Sequence, residues 1–109
     1  MPSEPVQVTT TVPSREAADW LARVLVEERL AACVQVQGPI ASTYRWEGAV
    51  EQATEWYCHA KTTRSRIDQV SARILELHSY VTPEIVAVPL VGGLPAYLGW
   101  IAESVGDEA

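Results

Sequence analysis

The sequence predicts an α+β domain of the ferredoxin-like kind. This is a split βαβ in the order β-α-β-β-α-β, with an extended β-hairpin and a short C-terminal helix. Three observations predict it. Glu28-Arg29-Leu30-Ala31-Ala32-Cys33-Val34 runs from the end of a helical pattern straight into a strand pattern. His78-Ser79-Tyr80-Val81-Thr82-Pro83-Glu84-Ile85 closes a second helix and opens another strand about half a chain later. Between these joints, two β-patterned runs meet at Glu47-Gly48. The result is a doubled strand-helix-strand unit that leaves one face of its sheet without helices.

Each element has a local reason. Val6 to Val12 alternates and is rich in β-branched residues, which favour extended chain, and Pro13 stops it. Ser14 is placed to cap a helix carrying Ala18, Leu21, Ala22 and Leu25 on one stripe. Glu16, Arg23 and Glu27 lie opposite, and Trp20 falls among them on the wet face. Ala32 to Gln37 reads as the second strand, bent by Gly38-Pro39 and continued as extended chain from Ile40 to Trp46. Glu47-Gly48 supplies the turn, and Glu51 to Lys61 returns as a long strand. Ser65-Arg66-Ile67-Asp68 has capping-box spacing, with Asp in the place of Glu. The helix it opens sets Ile67, Val70, Ile74 and Leu77 on one face and ends near His78-Ser79, since Pro83 forbids its continuation. Ile85 to Leu90 is a nearly continuous apolar run of the kind expected inside a sheet. After Gly92-Gly93, Leu94 to Ser104 reads as a closing helix with Tyr97, Leu98 and Ile101 inward. Residues 1–109 thus form a single domain, with 1–4 and 106–109 expected as flexible ends.

Composition narrows the function. A chain of 109 residues buries roughly 60 to 70 per cent of its unfolded surface, enough for a core without staples. A net charge of −6 and pI near 4.8 argue against nucleic acid and anionic membrane as partners, since both need clustered Lys or Arg. Cys33 and Cys58 are isolated, with no CxxC pair, which points to a reducing compartment. Met1 to Pro5 has no basic region leading into an apolar run, and no apolar stretch approaches the roughly 20 residues of a membrane span. The expected location is the cytoplasm.

Strand alternation exposes the second sheet face to reading. Trp56, Cys58 and Ala60 share one side of the return strand; Glu55, Tyr57, His59 and Lys61 share the other. Tyr44 and Trp46 stand on the hairpin, and the aromatics comprise four Trp and four Tyr with no Phe, so all carry polar handles. This set, with Tyr44, Trp46, Tyr57 and His59 as contact residues, points to oligomerisation through sheet edges and the hairpin, a symmetric homo-oligomer being the default.

The two joints, together with Tyr44-Arg45-Trp46-Glu47-Gly48, Glu55 with Lys61-Thr62, and Tyr97-Leu98-Gly99-Trp100, resemble the CutA divalent-cation-tolerance family over essentially the whole chain. The resemblance implies a homotrimer like the signalling trimers of the PII class, linked to tolerance of copper and other divalent metals. It also implies copper ligands at three places, held here by Thr10, Leu77 and His78, so only one imidazole of that set remains.

Two candidate sites follow. A divalent cation, Cu²⁺ or Zn²⁺, would draw on His78, Glu84 and Cys33, although such sites take three or four convergent donors. The ordinary reading of His78 is a hydrogen-bonded residue closing a helix, and that of Cys33 a small core side chain. Lys61 is the only Lys beside seven Arg. With Glu55, Tyr80 and Glu84 it is expected to line a cleft between subunits that accepts a small anion or cation, unless it merely pairs with Glu55. No Gly-rich phosphate loop, Ser-His-Asp order or HExxH motif points to an enzyme. The expected function is divalent-cation tolerance by a cytoplasmic homotrimer; the alternative is a PII-like trimeric sensor or scaffold for a small molecule or protein partner.

Overall fold

Val6, Val8, Thr10 and Val12 alternate along β1 (Pro5–Val12) and are all buried. In the computed structural model, which describes residues 3–107, the remaining elements are α1 (Arg15–Glu27), β2 (Cys33–Trp46), β3 (Ala49–Thr63), α2 (Ile67–Leu77), β4 (Ile85–Pro89) and α3 (Pro95–Ser104). The sheet order is β2-β3-β1-β4, antiparallel throughout, so the outcome is an α+β fold in the split βαβ order. Residues 1–2 and 108–109, expected to be flexible, lie outside the described residues.

Val8, Cys58 and Ala60 share one core with Leu21, Leu25, Val70 and Ile74, which places α1 and α2 on the same side of the sheet. Each fully buried aliphatic side chain of this kind contributes about 1.5–3 kcal/mol. Trp56 packs against this core from β3, whereas Tyr57, His59 and Lys61 point to the opposite face. Ser14 caps α1 as its sequence position implies, its Oγ accepting from the Ala17 amide at 3.1 Å. Trp20 is half-exposed on the outer side.

The hairpin is longer than the sequence implied, running from Cys33 to Thr63. Glu47 and Gly48 both take positive φ, 49° and 81°, the signature of a two-residue type I′ turn. The bend at Gly38-Pro39 is a register shift: Gln37 faces Tyr57, but the next pair is Ile40 with Glu55. The shift exchanges parity on β2, so Gln35 and Gln37 share the face opposite α1 and α2 with Ile40, Ser42 and Tyr44. Position 38 must be Gly, because a Cβ there would lie 2.5 Å from Cδ1 of Trp56.

Four expectations are corrected. Ser65 does not cap α2; Arg64–Arg66 forms a 3₁₀ turn, Arg66 is the N-cap without a side-chain bond, and Ser65 Oγ donates to Asp107 Oδ2 at 2.6 Å. A carboxylate is the stronger acceptor. The same contact, with Asp107 N donating to the Ala102 carbonyl at 2.8 Å, ties down Gly106 and Asp107, the described part of the tail expected to fray. β4 lies at the edge of the sheet, with Val86 and Val88 50% and 49% exposed. Finally, α3 buries Ile101 while Tyr97 remains 38% exposed, since its hydroxyl shares a 3.4 Å hydrogen bond with Cys33 Sγ.

Candidate functional site

Glu55 sits on β3 at the first pair beyond the register shift, opposite Ile40. Its residue is only 7% exposed. Tyr80 comes from the loop between α2 and β4, and its hydroxyl donates to Glu55 Oε2 at 3.0 Å. His78 clamps that loop. The Tyr80 backbone N–H donates to His78 Nδ1 at 3.0 Å, and a backbone amide has no other role. Nδ1 therefore carries a lone pair, Nε2 carries the proton, and Nε2 donates to the Thr11 carbonyl at 2.7 Å. The His78 and Tyr80 rings are 4.7 Å apart, so the imidazole fixes both ends of the phenol's approach to Glu55.

Around this pair lies a cavity of about 860 Å³ between the hairpin root and the loop. Tyr44, Trp46 and Tyr57 supply aromatic walls, and Glu51 and Glu84 add two more carboxylates. Tyr80 is pushed up to about 12 by burial, and then by its bond to Glu55 and the negative charge of that carboxylate. The phenol therefore stays neutral and keeps its proton to donate to Glu55.

The residues singled out from the sequence divide between two places. Glu55, Tyr80 and Glu84 line the cavity together with Tyr44, Trp46 and Tyr57. Lys61 does not join them. It is six residues farther along β3, about 20 Å of strand, where its Nζ donates to Gln35 Oε1 at 2.6 Å. Within the chain, Lys61 and Glu55 do not pair. His59 lies between, its Nε2 donating to Gln37 Oε1 at 2.9 Å and its Nδ1 accepting from the Thr9 hydroxyl at 3.1 Å. Burial, and then the charge of Lys61, hold its imidazole below the ordinary value of 6.5. Sequence reasoning passed over Glu51 and Thr11, although Glu51, four residues before Glu55, shares its face by simple alternation.

The proposed metal donors do not converge within the chain. Cys33 pairs with Lys61 at the far end of β3, both nitrogens of His78 are engaged, and Glu84 stands at the cavity. Among the described residues, no three His, Cys, Asp or Glu are grouped to hold an ion. These residues do not fit a resident Cu²⁺ or Zn²⁺.

Comparison with known proteins agrees with the element order. Residues 6–104 match the family model of the CutA1 divalent ion tolerance protein. The chain is 44% identical over 99 residues to a divalent-cation tolerance protein CutA of Thermus thermophilus, covering 91% of this chain and 96% of that protein. A CutA of Archaeoglobus fulgidus is 43% identical over 95 residues, covering 87% and 92%. The crystal structure of CutA from Xylella fastidiosa superposes with a TM-score of 0.91 at 38% identity, covering 94% of this chain and 98% of that one. These relatives are named as tolerance proteins, not as enzymes. With its fold and residues 6–104 in agreement, the chain belongs to the CutA1 divalent ion tolerance family.

Proposed function

We propose that this chain acts in divalent-cation tolerance as a cytoplasmic homotrimer, copper being among the cations, and that it catalyses no reaction. The observation that carries the reading is the uncovered flank. β4 is an apolar edge strand whose Val86 and Val88 are about half exposed, and the hairpin presents Trp46 and Val50 at 49% and 65% exposure. An open apolar edge recruits another strand or surface, and identical copies are its usual cover. The threefold count rests on the family resemblance. The free thiols of Cys33 and Cys58 suit a reducing compartment.

One chain offers a divalent ion isolated donors only, so Cu²⁺ and Zn²⁺ bind weakly and tolerance works without a resident ion. The names of the relatives carry cation tolerance and nothing of a PII-like sensor, so that alternative is not adopted. Light scattering at low micromolar concentration tests the assembly: the expected mass is three times that of the chain, and a stable single chain overturns the reading. Calorimetric titration with Cu²⁺ and Zn²⁺ tests the metal half. Weak heats that are unchanged in His78→Ala agree with it; stoichiometric binding abolished in His78→Ala refutes it.

A further inference from the structure

The sheet face opposite α1 and α2 carries its central charges in one directional row. Along β3, Glu51, Glu55, Tyr57, His59 and Lys61 share that face by alternation, acidic at the hairpin end and with the ammonium of Lys61 at the other. Their neighbours across the ladder are neutral: Gln7, Thr9 and Thr11 on β1, Gln35 and Gln37 on β2. Neither end is neutralised within the chain. Glu55 is nine-tenths buried, and the partner of its carboxylate is a neutral phenol. Lys61 is the only lysine, and its Nζ, with three N–H groups, donates to the neutral Gln35 amide. The ion pairs among the described residues include neither residue. Six residues of strand, about 20 Å, separate the two.

A ring of copies brings such ends together. In a closed heterologous ring each subunit meets the next head to tail, so one end of a directional row faces the opposite end of its neighbour. Acid then meets base at every contact, whereas a head-to-head contact sets like charges side by side and is disfavoured. Resting on the homotrimer proposed above, we propose that Lys61 of each copy pairs with Glu55 of the next. The hairpin root is then incomplete in one chain, and a second copy supplies the cation that a buried carboxylate needs. The residue type fits this task. Tyr80 already holds Oε2 of Glu55, so one oxygen is left for the neighbour. A compact ammonium on a long stem meets a single oxygen, whereas the planar fork of an arginine is matched to two. This gives the one lysine among seven arginines a reason.

The first test uses the full, unsubstituted chain. A carbodiimide joins a carboxylate to an amine in contact with it, and the single lysine makes the side-chain amine unambiguous. Chains grown on light and on heavy nitrogen are refolded together, coupled, digested and read by mass spectrometry. The expected product is an amide between Lys61 and Glu55 that includes mixed-isotope pairs, which arise only between copies. Lys61 joined to other carboxylates alone, or to Glu55 in same-isotope pairs alone, overturns the inference. The second test is light scattering on dilution, with circular dichroism to check that each variant is folded. Lys61→Met raises the concentration at which the assembly comes apart at least about thirtyfold. Arg23→Met, which removes an exposed cation from α1, leaves it unchanged. If the unsubstituted chain scatters as three copies and Lys61→Met comes apart no more readily, the pairing is overturned and the homotrimer stands. If the unsubstituted chain scatters as one copy, both fall.

Discussion

The hydroxyl of Tyr80 reaches across from the α2–β4 loop to hold Glu55 Oε2 at 3.0 Å, joining two residues 25 positions apart. This is the one side-chain hydrogen bond of Glu55 among the described residues, and it works because His78 fixes the loop from both ring nitrogens. Loop, sheet centre and hairpin root are thereby one unit.

Tyr80→Phe is expected to lower unfolding free energy by about 1.5–3 kcal/mol, the range for a hydrogen bond to a charged group, measured by urea denaturation at neutral pH. The folded phenol sits at about 12, above its ordinary 10.0, so the neutral form is favoured by folding. That contribution is whole below pH 10 and is lost as pH rises from 10 towards 12. The alkaline limb of the stability curve should be shallower in Tyr80→Phe, and an identical limb would detach the shift from this phenol.

His59 contributes to the acid limb. Its folded value lies below the ordinary 6.5, so the unfolded chain binds the extra proton first. This contribution is whole above 6.5 and declines as pH falls through that value to the lower folded one, because protonation puts a charge in a partly buried place and a second cation beside Lys61. His59→Gln should flatten the slope just below pH 6.5. Melting temperatures followed across that range decide the matter.

Thr10 is 1% exposed, and its hydroxyl has no partner. Val has the same shape without the polar group. Thr10→Val should therefore stabilise the chain by about 1 kcal/mol, read as a raised denaturation midpoint at constant slope. A lowered midpoint would mean that the hydroxyl has a partner after all.

Arg29 occupies the left-handed position after α1, with φ 60°, in a Schellman arrangement closed by Leu30 N to Leu25 O at 3.0 Å. Its guanidinium returns from there to the end of α3, Nε donating to the Ser104 carbonyl at 3.1 Å. Arg29→Ala keeps the backbone strain and loses the tether, whereas Arg29→Gly loses the tether and relieves the strain. The Gly variant should be the more stable of the two by about 1 kcal/mol, and the reverse order in paired melts would contradict this account.

Much of the fold was legible because it is written over short spans. Ser14 caps α1 from three residues away, Glu47-Gly48 makes its turn within two, and the Val70–Ile74 stripe follows from helical spacing. Ser65 was misread for the opposite reason: its true acceptor, Asp107, lies 42 positions distant. β4 was misplaced because an apolar strand reads alike whether its cover is its own sheet or another surface.

The sequence alone determined the elements, their order and the two faces of the sheet, since propensity, turn chemistry and periodicity act between neighbours along the chain. Only the tertiary structure decided which charges meet. Glu55 and Lys61 share a face, yet register and strand length send one to a cavity with Tyr80 and the other to Gln35. Coulomb and hydrogen-bond energies depend on distance through space, and a face assignment leaves that distance open.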